Sequence, residues 1–160
     1  FIPLEGVEDE EQEGGSRSNP IEAARIYDLV QGLLLPGDVL ASDVGIITPY
    51  SGQVRALCDI FDRNKGREQG GPFAGLEINT VDGYQGREKD VIIFSAVRSN
   101  ADGIVGFLSD QRRLNVAITR AKRGLVVVGD PKTLRHDPTW RSWLDWAEER
   151  GLFAWHLVNG

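Results

Sequence analysis

The sequence is poor in the residues that staple or metallate small proteins. Its 160 residues include one cysteine, Cys58, and two histidines, His136 and His156. An intrachain disulfide is excluded, and three such residues so scattered offer no metal-ligand spacing. Apolar runs are short, and none approaches the roughly 18 to 20 residues that span a bilayer. The first residues are acidic, unlike the basic-then-apolar pattern of a secretory leader. These absences predict a soluble chain in a reducing compartment, cytoplasmic or nuclear, with no membrane partner and no metal site. What is present, 41% hydrophobic and 26% charged residues with 19 glycines and 7 prolines, is the composition of one ordinary globular domain and not of a fibre.

The formal net charge of -6 is unevenly distributed. Glu5, Glu8, Asp9, Glu10, Glu11 and Glu13 account for all of it, and without them acids and bases stand equal at 18 each. Residues 1–17 therefore read as an acidic strand-and-loop leader, with a possible strand at Phe1 to Leu4 and a partly disordered, solvated stretch from Glu5 to Ser18. Bases concentrate elsewhere: Arg112, Arg113, Arg120, Lys122, Arg123, Lys132 and Arg135 share a stretch whose only acid is Asp130. That stretch suits an anion.

From residue 18 to 160 the pattern is strand and helix in alternation. Asn19, Pro20 and Glu22 read as helix cap, first helical residue and capping-box glutamate ahead of Ala23, Ile26, Val30 and Leu33 or Leu34, and Pro36-Gly37 stops that helix. Val44 to Thr48 predicts a strand, Val54 to Phe61 a helix, Arg63 to Gly75 a mobile surface loop, and Leu76 to Val81 a strand. Asp90 to Val97 and Gly124 to Gly129 are almost unbroken apolar runs, the mark of central parallel strands. Asp110 to Arg123 and Thr139 to Arg150 predict helices, with Trp140 and Trp143 anchoring the second to the sheet. Leu152 to Val158 predicts an edge strand. The result is an α/β domain with a mainly parallel sheet covered on both faces, whose ligands gather at the carboxyl ends of the strands.

Two segments carry chemistry. Thr80-Val81-Asp82-Gly83-Tyr84-Gln85-Gly86-Arg87-Glu88-Lys89-Asp90 leaves one strand and enters another. Its glycines allow positive φ and exposed N-H groups suited to phosphate, while Glu88 can reach a sugar hydroxyl; the same residues also suit a tight turn held by its own side chains. Gln111 to Arg123 interleaves apolar and basic residues, so one side can pack on a sheet while guanidinium groups face a cleft, or the bases can simply form a solvated face.

Together with Gly45-Ile46-Ile47-Thr48-Pro49-Tyr50 and Gln53, and with Ser18, Asn19, Glu22 and Ala23, these segments resemble the second motor domain of superfamily 1 helicases of the Upf1-like group, from about Ser18 to Trp146. The resemblance implies a RecA-like, three-layer lobe that closes on ATP held by an N-terminal partner lobe while single-stranded nucleic acid, RNA in preference to DNA, crosses the top of both. It implies that Arg120 is an arginine finger on the γ-phosphate and that Gly86 and Glu88 contact the nucleotide, with Mg²⁺ held mainly by the partner lobe. The strand-contacting set it implies is Thr48, Pro49, Tyr50 and Thr80, with Arg98 and Asn100.

No phosphate-cradling G-x-x-x-x-G-K-[ST] loop is present: at Lys132-Thr133, Pro131 and Val126 stand where both glycines belong. Asp130 ends a strand without the glutamate that a magnesium-binding strand would carry next, and is assigned no metal. The family's arginine-bearing opening motif is also missing ahead of Phe1. The expectation is a fragment of a larger protein, inactive as an ATPase by itself. A non-catalytic module that grips nucleic acid or protein is the alternative.

Overall fold

The computed structural model describes residues 1–11 and 14–155. The chain runs β1 (Ile2–Pro3), β2 (Asp9–Glu10), β3 (Arg17–Ser18), α1 (Pro20–Leu34), β4 (Val44–Thr48), α2 (Ser51–Asp62), β5 (Glu77–Thr80), β6 (Lys89–Ser95), α3 (Gln111–Ile118), β7 (Ala121–Gly129), α4 (Pro131–Leu134) and α5 (Pro138–Glu149), with 3-10 turns between. Five strands form one sheet in the order β1-β7-β6-β4-β5, every pair parallel. β2 and β3 make a separate antiparallel pair.

Successive side chains on the strands face opposite ways. Val44, Ile46, Ile93 and Val128 meet Ala23, Ile26 and Val30 of α1 and Leu57 and Phe61 of α2. Ile47, Ile92, Phe94 and Val127 meet Ala117 of α3 and Trp140 and Leu144 of α5 on the other face. Both faces are thus covered, which is why the central runs read as unbroken apolar sequence. The outcome is the three-layer α/β architecture of a RecA-like lobe. Trp140 stacks on Phe94 with ring centroids 6.1 Å apart, and its indole N-H donates to Leu108 O at 2.9 Å.

Several elements differ from the sequence reading. The helix expected to reach Arg123 stops at Ile118: Arg120 N bonds Ala117 O in a tightened last turn, and from Arg120 O and Ala121 onward the chain pairs with Lys89 of β6 instead. Ala121 to Arg123 instead open β7. Residues 152–154 form no strand, and 156–158 of the expected edge strand lie outside the described residues. The polar loop after α2 buries Phe73 edge-on against Phe61, and Arg67 forks onto both carboxylate oxygens of Asp62.

Asn19 caps α1 as expected, its side chain accepting from Glu22 N at 3.0 Å. Glu22, however, completes no capping box. The Asn19 N-H donates to Gln53 Oε1, and the Glu22 carboxylate turns inward to accept from the Ser95 hydroxyl at 2.5 Å and from Val97 N at 3.0 Å. Val97 has φ +71, a left-handed conformation that a β-branched side chain resists by about 1 to 3 kcal/mol. Glu22 on its N-H and Asn19 Nδ2 on its carbonyl at 3.0 Å hold it there.

The acidic stretch is tied to the same turn. Glu8 accepts from Arg98 Nε at 3.1 Å, Ser99 N at 2.7 Å, Asn100 Nδ2 at 3.1 Å and Arg17 Nη1 at 3.1 Å. Burial pushes its carboxyl up, but the bonds from Arg98, Asn100 and Ser99 outweigh that and hold it below its ordinary value. Glu11 pairs with Arg55 of α2. Glu8 and Glu11 therefore depart from the solvated stretch the composition predicts.

Two predictions follow from these buried carboxylates. Glu8→Ala leaves the buried Arg98 guanidinium without its acid and should cost about 3 to 5 kcal/mol in urea unfolding. For Glu22, burial lifts the carboxyl from 4.5 to about 7, against the opposing bonds from Ser95, Val97 and Ala96. The folded state then holds this proton more tightly than the unfolded one, so Glu22's contribution is best below pH 4.5 and is lost as pH rises to about 7. The melting temperature of wild type relative to Glu22→Gln should accordingly fall between pH 5 and pH 8, by the equivalent of about 3 kcal/mol. A pH-independent difference would refute the assignment.

Candidate nucleotide and nucleic-acid sites

The residues singled out in the sequence separate into two groups at opposite ends of the sheet. Gly86 and Glu88 precede β6, and Arg120 precedes β7. Lys89 pairs with Ala121 in the ladder, and Lys89 N donates to Arg120 O at 3.1 Å, so the three residues meet at the amino ends of the two central strands. The segment from Val81 to Glu88 reaches that end by running down the sheet from β5. It is pinned there by the buried Tyr84, whose hydroxyl donates to Glu77 O at 3.1 Å, and by the Arg87–Glu77 ion pair. Burial foremost pushes the Tyr84 phenol up, the nearby Glu77 charge adding to it, so the ring serves as an anchor.

Arg120 stands in the joint between α3 and β7. Its Nη2 donates to the Thr119 hydroxyl at 3.3 Å, and it makes no ion pair among the described residues. Its Nε is buried without a hydrogen-bond partner. Arg120 as a whole is only partly buried, and without an acid partner among the described residues its guanidinium is free to donate a charged hydrogen bond to an oxyanion. Glu88 is exposed and unpaired among the described residues, and Gly86 holds φ +73 with open space where a side chain would stand. Arg113, the other guanidinium expected at a cleft, is instead at the far end of α3. It leans toward Asp82 at 3.5 Å and Asp110 at 3.8 Å, with Phe107 under its guanidinium.

The proposed strand-contacting residues lie at the carboxyl ends. Thr48 and Thr80 are register partners at the ends of β4 and β5, and Arg98 and Asn100 follow β6. The two groups are therefore separated by the length of β6, about 20 Å at 3.3 Å per residue. Side chains at the carboxyl end are differently available. Thr48 is fully buried, and its Oγ1 accepts from Tyr50 N at 3.4 Å, so its side chain offers nothing to a ligand. Tyr50 and Arg98 are buried also, bonded to each other at 3.3 Å, and Arg98 is committed to Glu8. These three act here as the frame of the surface. Pro49, Thr80 and Asn100 remain partly open. Asn100 is nevertheless occupied, its amide bonding Glu8 and both backbone groups of Ile104.

Glu8 is the residue that sequence reasoning missed. It lies 90 positions from Arg98, and no spacing rule links them. The available signal was that an arginine directly after a buried strand requires an acid partner. Asp130, assigned no metal, spends its carboxylate on Lys132 N, the Ser99 hydroxyl and the Thr133 hydroxyl. Among the described residues, no helix is long and apolar enough to cross a membrane.

Comparison with known proteins places the chain in a family. The family model described as AAA domain matches residues 1–132. A regulator of nonsense transcripts 1 homolog of Arabidopsis thaliana is 45% identical over 139 residues, covering 87% of this chain and 11% of its own length. The ATP-dependent helicase upf1 of Schizosaccharomyces pombe is 40% identical over 155 residues, covering 97% of this chain and 16% of its own. A putative ATP-dependent RNA helicase, ECM32, of Saccharomyces cerevisiae is 37% identical over 177 residues, covering 91% and 16%. The chain thus spans between 11% and 16% of the length of these relatives. A parallel five-stranded sheet with these motifs at its two ends, matched over most of the chain, belongs to the AAA domain family and within it to the Upf1-like superfamily 1 helicase domains.

Proposed function

We propose that this chain is the second motor lobe of an ATP-dependent RNA helicase: it closes on ATP held by an N-terminal RecA-like lobe and grips single-stranded RNA, with DNA an acceptable strand. The observation that carries the reading is Arg120, a partly exposed arginine with no acid partner among the described residues, whose backbone carbonyl accepts from Lys89 N, next to Glu88. A module that only gripped a strand would have no use for that guanidinium. The names of the relatives, an ATP-dependent helicase and a putative RNA helicase among them, support the same reading.

In this proposal Glu88 takes a ribose hydroxyl, Gly86 lets the backbone come close, and Arg120 faces the γ-phosphate. ATP supplies the phosphoryl group whose transfer spreads negative charge over its oxygens, and a fixed guanidinium stabilises that charge, worth about 10³ to 10⁵ in rate in related systems. Mg²⁺ and the phosphate loop belong to the partner lobe, because this chain has no G-x-x-x-x-G-K-[ST] of its own. The chain alone is therefore inactive as an ATPase. At the other end of β6, Pro49, Thr80 and the turn framed by Tyr50, Arg98 and Asn100 face the strand, gripping phosphates without reading sequence.

The test joins the chain to its first lobe and measures RNA-stimulated ATP hydrolysis. Arg120→Ala should lower turnover at least about a thousandfold. Its melting temperature should stay close to wild type, since the guanidinium has no acid partner to lose. Unchanged turnover would end the helicase reading in favour of a binding module.

A further inference from the structure

The loop joining β6 to α3 holds an aromatic ring out into solvent on a frame that cannot withdraw it. Phe107 is 55% exposed and its neighbour Ile104 is 54% exposed. The backbone on both sides is fixed. Asn100 bonds Ile104 N and Ile104 O, each at 2.8 Å, and Leu108 is buried with its carbonyl taken by the Trp140 indole at 2.9 Å. Gly106 has φ +53, and a Cβ there would stand 2.3 Å from Arg98 Nη1 and 3.0 Å from the Tyr50 hydroxyl oxygen. Only glycine lets the loop press against this pair, and pressing there turns Phe107 outward.

The surroundings of the ring define what fits on it. Tyr50 lies at 5.7 Å between centroids, tilted by 45°, and the Arg113 guanidinium lies 5.4 Å from the ring centre. Pro49 shares a small apolar notch with Phe107 and Arg113. The two acids near Arg113, Asp82 and Asp110, stand at 3.5 and 3.8 Å, both longer than a charged hydrogen bond, and Arg112 on the same turn is exposed. A half-exposed ring with a loosely held guanidinium over one face matches a planar group that carries an anion.

We propose that Phe107 is a stacking platform for an unpaired base of a single strand, with the Arg113 guanidinium taking the adjoining phosphate. The inference rests on the single-strand reading above and adds a residue that the matching motifs do not name. Stacking on an aromatic face accepts any base, so the platform lends grip without sequence preference.

The experiment measures fluorescence anisotropy of a labelled 12-residue oligouridylate and of an abasic strand of equal length, with wild type, Phe107→Ala, Phe107→Leu and Phe107→Trp. Loss of one stacked base predicts that Phe107→Ala and Phe107→Leu weaken oligouridylate binding about fivefold or more, that Phe107→Trp binds like wild type, and that all four bind the abasic strand alike. Should the alanine variant unfold, the leucine and tryptophan variants decide. Equal weakening on both strands would make the ring a prop for the loop, and unchanged binding to both would leave the exposed ring to a protein surface; either overturns the proposal while leaving the single-strand reading intact. Failure of wild type to bind any strand would overturn both.

Discussion

A buried carboxylate holds the chain at the point where it leaves the central strand. Glu22 accepts from Val97 N and from Ser95, the first holding a β-branched residue in the left-handed region and the second closing the strand's last turn. Release of that contact would let Val97 relax to an ordinary extended backbone and redirect the three residues that follow. Arg98, Ser99 and Asn100 then make the bonds that bring Glu8 and the acidic stretch onto the body. The carboxyl-end surface is therefore built from inside outward: a carboxyl group buried at a cost fixes a strained turn, and the strained turn fixes the surface.

The two candidate sites share their supports. β6 begins where its Lys89 meets Arg120 and ends at the turn that carries Arg98. α3 carries Arg113, beside Phe107, in its first turn and ends at Ile118, two residues before Arg120. Each site thus has one end of the same strand and one end of the same helix, and the β6–β7 register is continuous from Val91 to Ser95 after an irregularity between Lys89 and Val91.

Much of the architecture was legible because it follows from local rules. Continuous apolar runs marked β6 and most of β7 as buried on both faces, and Asn19-Pro20 marked the start of α1. The sequence reading failed where tertiary context outvoted spacing. Leu114, Ile118 and Ala121 kept a helical period past the true end, because nothing in the pattern revealed that Ala121 would pair with Lys89 of β6. Glu22 satisfied a capping motif yet was drawn inward by Ser95 and Val97, 73 and 75 positions away. The motifs carrying Gly86, Glu88 and Arg120 come together at the amino ends of β6 and β7. The motifs located the carboxyl-end residues only as a neighbourhood, since burial of Thr48, Tyr50 and Arg98 depends on packing that motif spacing does not express.

The joint of Thr119 and Arg120 between α3 and β7 has a consequence for how such lobes can diverge. Side chains in β7 alternate between two packed faces, Val126 and Val128 toward α1 and Leu125 and Val127 toward α3 and α5. Adding or deleting one residue in the joint would swap those faces and swing the guanidinium away from its neighbours in one stroke. Substitutions can accumulate around this corner, but its length is frozen, and gaps between related chains should fall in the loops before α3 or after β5 instead.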